Sequence, residues 1–145
     1  SLPAMVWGDW IAEWVRRDEP EHLRRGRLGE RAAKRQLKKG GLKFLYANFS
    51  SEHGEIDLIF REGKTLVFVE VKTRSSESWT RPAAAVNADK QRKIIATARE
   101  YLRLLHHPDI AYRFDIVEVL LRDGAVSEVR HLPNAFPLTR PKRGR

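Results

Sequence analysis

Two strand-like runs in the middle of this chain carry charges where a strand normally buries its core. The stretch Glu52–Arg74, EHGEIDLIFREGKTLVFVEVKTR, reads as strands over Glu55–Arg61 and Thr65–Thr73 joined by a turn at Glu62-Gly63-Lys64. β-Branched and aromatic residues bounded by Gly and charged turn residues favour such a pair. Side chains alternate across a strand, so Glu55, Asp57 and Ile59 are expected on one side of the first. On the second, Phe68, Glu70 and Lys72 share a side, with Val67, Val69 and Val71 opposite. Burying an unpaired charge costs several kcal/mol or forces neutralisation. One reading is a structural Glu70–Lys72 ion pair with Asp57 nearby. The other is a metal site, in which two carboxylates on adjacent strands share a cation beside an ammonium two residues further on. The pattern favours the metal site.

The remaining composition narrows the partner. The 145 residues suit one domain with a sizeable core. No apolar run approaches the roughly 18 residues of a membrane span. The first residues show no basic segment leading into an apolar block, so no signal peptide is expected. With no cysteine, disulfides and thiolate zinc sites are excluded, and a cytoplasmic location is the expectation. The net charge of +9 points to a polyanion, nucleic acid before membrane. The five histidines show no ligand spacing.

Around the central pair the chain alternates helix and strand signals. Trp7, Trp10, Ile11, Trp14 and Val15 fall at helical spacing, and Pro20 is expected to end that helix. A second helix is expected from about Arg27, with Leu28, Ala32, Ala33 and Leu37 as its apolar face and Gly40-Gly41 as its end. Arg31, Lys34, Arg35, Lys38 and Lys39 cover its other surface, and Glu30 lies among them in the first turn, where a carboxylate also suits the helix dipole. Leu42–Phe49 reads as a strand leading through Ser50-Ser51 into the central pair. After Thr73, the loop RSSESWTRPAAAV offers Arg74, Trp79 and Arg81 to a nucleic acid. Asn87 is placed to cap a helix over about Ala88–Leu105, with Lys90 and Lys93 facing outward. Tyr112–Leu121 and Ala125–Leu132 read as strands about an Asp123-Gly124 turn, the first carrying Asp115 as a structural support. The order predicts an α/β (α+β) domain, a mixed central sheet of about five strands flanked by helices.

Asp57, then Glu70-Val71-Lys72 on the next strand, with Glu30 on a preceding helix, resembles the PD-(D/E)xK nuclease pattern. More closely, GE-x-AA (Gly29–Ala33), GEIDLI (Gly54–Ile59), VFVEVKTR (Val67–Arg74) and RFDIVEV (Arg113–Val119) resemble the YraN family of bacterial proteins, similar to archaeal Holliday-junction resolvases. The resemblance covers about Leu28 to Pro137. Ile56 stands where the pattern's proline would precede Asp57, and the tryptophan-bearing N-terminus lies outside the match.

The resemblance implies a restriction-endonuclease-like fold over residues 27–132, with 1–26 a helical extension and 133–145 a basic tail expected to be mobile. It implies a metal-dependent, structure-selective DNA endonuclease that takes Mg²⁺ (or Mn²⁺) on Asp57, Glu70 and Glu30. Lys72 would orient or help deprotonate the attacking water, and Glu55 would serve a second cation or a water shell. Arg31, Lys34, Arg35, Lys38, Arg74, Arg81, Lys90 and Lys93 would bind phosphates, branched DNA being the expected partner and a homodimer an open assembly. The alternative is a non-catalytic nucleic-acid-binding protein retaining the fold. A third class, an assembly protein using its charge on a protein partner, is separated from both by the salt dependence of DNA binding.

Overall fold

The computed structural model describes residues 19–75, 86–106 and 109–137. The elements run α1 (Glu21–Lys39), β1 (Lys43–Ser51), β2 (Gly54–Glu62), β3 (Thr65–Ser75), α2 (Ala88–Leu104), β4 (Tyr112–Arg122) and β5 (Ala125–Leu132). Helix α1 starts six residues before the expected Arg27. Pro20 opens this helix: its fixed φ of −56° suits the cap position, and its carbonyl accepts from Leu23 and Arg24 N–H at 3.0 and 3.1 Å. Ion pairs from Glu21 to Arg24 and Arg25 then bridge successive turns. The helix stops at Gly40-Gly41, where Gly41 adopts φ +93° and Leu42 N–H returns to the Leu37 carbonyl. The tryptophan-bearing segment lies outside the described residues.

The five strands form one sheet in sequence order. All neighbours are antiparallel except β3 and β4, which are parallel because α2 carries the chain back across the sheet. Asn87 caps α2 as expected, its Oδ1 accepting from Lys90 N–H at 2.8 Å. The β4–β5 turn places Asp123 and Gly124 both at positive φ (51° and 77°), the backbone a two-residue hairpin turn requires.

Each helix covers one face of the sheet. Ala33 and Leu37 of α1 pack on Leu58, Phe60, Val67 and Val117. On the other face, Ile94, Ile95 and Ala98 of α2 pack on Ile59, Phe68, Phe114 and Ile116. This is the mixed, helix-flanked sheet expected. The start of the expected mobile tail is packed instead. Phe136 stacks on Phe114 at 4.9 Å between centroids, and Ala135 N–H bonds the Phe114 carbonyl at 2.8 Å. An aromatic ring with a neighbouring ring to cover holds the segment through Pro137 in place. No described helix is long and apolar enough to cross a membrane.

Candidate metal centre at a fork in the sheet

The hydrogen-bonded register of β2 with β3 ends at Leu58↔Val69, although β2 begins at Gly54 and β3 continues to Ser75. Beyond that point the two strands part, and Asp57 and Glu70 stand at the opening. The backbone amide of Val71, left without a ladder partner from β2, donates to Asp57 Oδ2 at 2.7 Å. A buried N–H needs an acceptor, and here a side-chain carboxylate replaces the neighbouring strand.

The expected single row of Glu55, Asp57 and Ile59 is not formed. Ile56 and Ile59 pack in the α2 layer, Leu58 and Phe60 in the α1 layer, so the alternation of β2 breaks at Asp57. The cause lies across the ladder. Asn48, between the pairs Ala47↔Leu58 and Phe49↔Ile56, has φ +54°, and this left-handed residue reorients both strands. Glu55 is thereby directed toward α1 rather than into the row of Ile59. The Asn48 carboxamide, turned so that both its ends are satisfied, donates to Glu55 Oε1 at 3.2 Å and Glu30 Oε1 at 3.3 Å.

Glu30 reaches this corner because α1 lies hard against β3. A Cβ at Gly29 would fall 1.8 Å from Thr73 Oγ1. The glycine of the GE-x-AA motif is therefore the contact point that sets the height of Glu30 over the fork. Glu30 and Asp57 sense each other and Glu70. Burial, then the charge of Glu70, pushes the Asp57 carboxyl up to about 7 against the opposing Val71 hydrogen bond. Burial likewise raises Glu30; its Asn48 bond opposes this, while Glu55 and Glu70 add to it. Asp57 and Glu30 are thus easier to protonate, the condition a divalent cation relieves.

Two ammonium groups are already there. Glu70, only 8 % exposed, meets Lys90 Nζ at 2.5 Å and Lys72 Nζ at 3.8 Å. Lys90, expected to face outward toward phosphate, is turned into the carboxylates from the first turn of α2. Burial, the largest single effect, would lower its pKa, but the contacts with Glu70 and Lys72 and the charges of Glu70 and Asp57 together raise it. Lys72 moves the other way, lowered by burial and then by its contact with Lys90. With Glu70 held this way, no three His, Cys, Asp or Glu side chains among the described residues stand together as a ready metal cage.

The remaining phosphate candidates spread over other surfaces. Arg31 and Arg35 line a shallow cavity of about 260 Å³ between α1 and β5, with Leu28 and Val129 as its apolar wall. Lys34 Nζ sits 3.8 Å over the Phe44 ring and Lys38 at 5.6 Å, stacked on the body of the protein. Lys93 pairs with Asp89 at 3.4 Å on the exposed side of α2. Arg74 is the penultimate residue of β3, while Arg81, Trp79 and the terminal basic residues lie outside the described residues.

Residues the sequence did not single out belong to the same corner. Asn48 was signalled only by a poor strand former inside LKFLYANF. Glu118 of β4 was signalled by a carboxylate in an apolar run; it is 1 % exposed, and neither carboxylate oxygen has a hydrogen-bond partner.

The sequence profile described as "Uncharacterised protein family UPF0102" matches residues 29–119. The chain belongs to the UPF0102 family. Among its relatives, a UPF0102 protein of Geotalea uraniireducens (strain Rf4) is 41% identical over 121 residues, 83% of this chain and 95% of that protein. UPF0102 proteins of Geotalea daltonii and Desulfosudis oleivorans are 43% and 44% identical over 113 and 111 residues. These alignments cover 78% and 77% of this chain, and 89% and 88% of the two relatives. The span that defines UPF0102 here runs from the Gly29 contact to just past Glu118, so it contains Glu30, Asn48, Glu55, Asp57, Glu70, Lys72 and Lys90.

Proposed function

We propose that this UPF0102 protein is a metal-dependent endonuclease of the PD-(D/E)xK type acting on branched DNA. The observation that carries the reading is the fork. Asp57 and Glu70 stand there close enough for the charge of Glu70 to act on Asp57, Lys72 lies two residues along β3, and Glu30 comes in from α1. A purely structural arrangement has little use for mutually repelling acids at a solvent-facing gap in a basic protein.

The donor set fits a hard cation, since carboxylate oxygens are what Mg²⁺ or Mn²⁺ prefers, and such an ion would favour the ionised form of an Asp57 raised to about 7 by burial and then by the charge of Glu70. Asp57, Glu70 and Glu30 would hold it, and bound there it would supply charge neutralisation for a phosphodiester under attack by water. The chain's own groups do the rest. Asn48 fixes Glu30 and Glu55 relative to each other. The Val71 amide fixes Asp57. Lys72 Nζ donates to the attacking water or to a phosphate oxygen. Lys90, 42 % exposed at its side chain, is free to exchange Glu70 for a phosphate when DNA arrives. Arg31, Arg35 and Arg74 hold the flanking backbone without reading sequence.

One observation favours the second reading, a DNA-binding protein without cleavage: Lys90 sits at 2.5 Å on Glu70, where a cation would otherwise be. Labelled four-way junctions, flaps, single strands and linear duplexes incubated with Mg²⁺, Mn²⁺ or EDTA separate the two. Metal-dependent cutting of a branched substrate is the expected result. Salt-sensitive binding without cutting under any divalent ion overturns the nuclease in favour of the binder, and no DNA binding overturns both.

A further inference from the structure

Glu118 is the one buried carboxylate among the described residues with both oxygens orphaned. A buried acid without partners is costly and calls for an explanation. Its position supplies one. In the parallel β3–β4 ladder Lys72 pairs with Glu118, one step beyond Glu70↔Ile116 and two beyond Phe68↔Phe114. Phe68 and Phe114 stack at 5.7 Å, so the partners of this ladder share a face, the one covered by α2. Glu118 is therefore beside Lys72 in the sheet while the Lys72 ammonium is drawn to Glu70 on its own strand. On the other side Glu118 pairs with Arg130 of β5, but that guanidinium already holds Glu128 at 2.9 Å.

The Lys72–Glu70 contact is long, 3.8 Å, and shared with a closer competitor, Lys90. Any cation that takes Glu70 must move both ammoniums away. Lys90 has solvent to go to. Lys72 is more enclosed, and a lysine displaced into an apolar layer without an acceptor would resist the exchange.

We propose that Glu118 is a second seat for Lys72: it receives the ammonium when a divalent cation occupies Glu70, and holds it facing the substrate. Glu118 is thus a positioning residue that acts through Lys72. The inference rests on the metal-site reading above. It gives a role to a buried acid whose oxygens have no hydrogen-bond partner.

The test reads metal binding rather than cleavage. Mn²⁺ is titrated into the full chain without DNA, its free fraction followed by electron paramagnetic resonance, and melting is recorded in EDTA. Glu118→Gln leaves Lys72 nowhere to go, so it should weaken Mn²⁺ binding by about tenfold (1.4 kcal/mol). It should also leave the melting temperature in EDTA unchanged or raised, because the carboxyl replaced has no hydrogen-bond partner to lose. In a Lys72→Ala background the same substitution should change Mn²⁺ affinity less than about twofold. In an Arg130→Ala background the full loss should persist. Should the Gln variant misfold, Glu118→Leu, of similar size and without polar atoms, repeats the measurement. An unchanged affinity in Glu118→Gln overturns the proposal. So does an equal loss in the Lys72→Ala background, which would mean that Glu118 attracts the ion directly. A wild-type protein that binds no Mn²⁺ overturns the metal site itself, and the second seat with it. Mn²⁺ binding without DNA cleavage removes the nuclease reading but leaves this result standing.

Discussion

Two acid clusters lie on this one sheet, and they are built in opposite ways. In one, Asp115 of β4, the ladder partner of Val69, is wholly buried and fully answered. Arg113 donates to it at 3.1 Å, His131 Nε2 at 2.7 Å and the Asn134 amide at 3.1 Å. Burial alone would raise its pKa, but these bonds outweigh burial and hold it below the ordinary range. At the fork, Asp57 and Glu30 are raised, and Glu118 has no partner at all. A fully buried carboxyl is satisfied in one place, at Asp115, and left without hydrogen-bond partners in the other, at Glu118. A satisfied acid fixes the fold: Asp115 ties the segment after β5 back to β4. An unsatisfied one is stable only if something outside the chain completes it. That contrast, more than any motif, separates structural carboxylates from those available to a cation.

The contrast breaks most sharply under substitution. Asp57→Ala or Glu70→Ala should reduce metal-dependent cleavage to background while leaving DNA binding intact or tighter in EDTA, since each removes a charge that repels phosphate. Folding should survive in Asp57→Ala, because removing one of two crowded acids relieves repulsion, whereas Glu70→Ala also releases Lys90 and Lys72 and should cost some stability. Asp115→Ala should do the reverse. It takes the acceptor from His131 and the Asn134 amide and leaves Arg113 only Glu62 at the surface, and breaking a buried pair costs about 3–5 kcal/mol. Urea titration of the three variants beside gel-based cleavage checks both halves. A large stability loss in Asp57→Ala with a mild one in Asp115→Ala would invert the assignment of the two clusters.

The pH dependence of stability should carry opposite signs at the two clusters. Asp57 has its folded pKa near 7, above the unfolded value of 3.8, so the folded state binds the proton more tightly. Its contribution is full below the unfolded value and is lost as pH rises through about 7. The proton belongs to the coupled acids together, and its effect should be about 2–4 kcal/mol across that window. Asp115, depressed below 3.8, contributes above its unfolded value and loses that contribution as pH falls through the folded one. Stability measured from pH 3 to 8 should therefore decline toward neutrality in the wild type. Asp57→Asn should flatten that decline, and Mg²⁺ should restore stability most where the acids are ionised. A decline that persists unchanged in Asp57→Asn would place its origin elsewhere.

Much of this arrangement was legible in the sequence, and what was missed has local causes. The hairpin turn at Asp123-Gly124, the Asn87 cap and the alternation of β3 each follow from one or two residues whose backbone preferences leave little choice. So the sheet, and Glu70 with Lys72 on one face, could be read directly. Pro20 was ambiguous, because proline both ends one helix and opens the next. The row of β2 failed at Asp57 because a single left-handed Asn48 on the neighbouring strand decides it, and alternation within one strand cannot show that. Lys90 looked outward by helical periodicity, but a first-turn lysine above the end of a strand reaches inward. The orphaned state of Glu118 depends on where Lys72 points, which is a property of three dimensions only.

The smallest expected effect concerns two glycines of α1 that are alike in sequence and unlike in place. Around Gly26 nothing lies within 4 Å of a built Cβ, whereas at Gly29 the Thr73 hydroxyl would be 1.8 Å away. Gly26→Ala should therefore stabilise the protein by up to about 1 kcal/mol, the helix propensity gained. Gly29→Ala should destabilise it by about 1–3 kcal/mol, the usual cost of overpacking. Rotating Thr73 gives partial relief at most: one rotamer puts its methyl in the hydroxyl's place, and the other still leaves its Cβ at 3.1 Å. The helix must lift from β3, and Glu30, the next residue, lifts with it. Cleavage and Mn²⁺ affinity should then fall along with stability, while Gly26→Ala leaves both unchanged. Adding Thr73→Ala to Gly29→Ala removes the oxygen and the methyl, leaving a Cβ at 3.1 Å that a shift of a few tenths of an ångström accommodates. Stability and Mn²⁺ affinity should recover together in that double variant. Recovered stability with Mn²⁺ affinity still low would mean that Glu30 is placed by Asn48 alone. The Gly29 contact would then belong with Asp115, to the fold and not to the site.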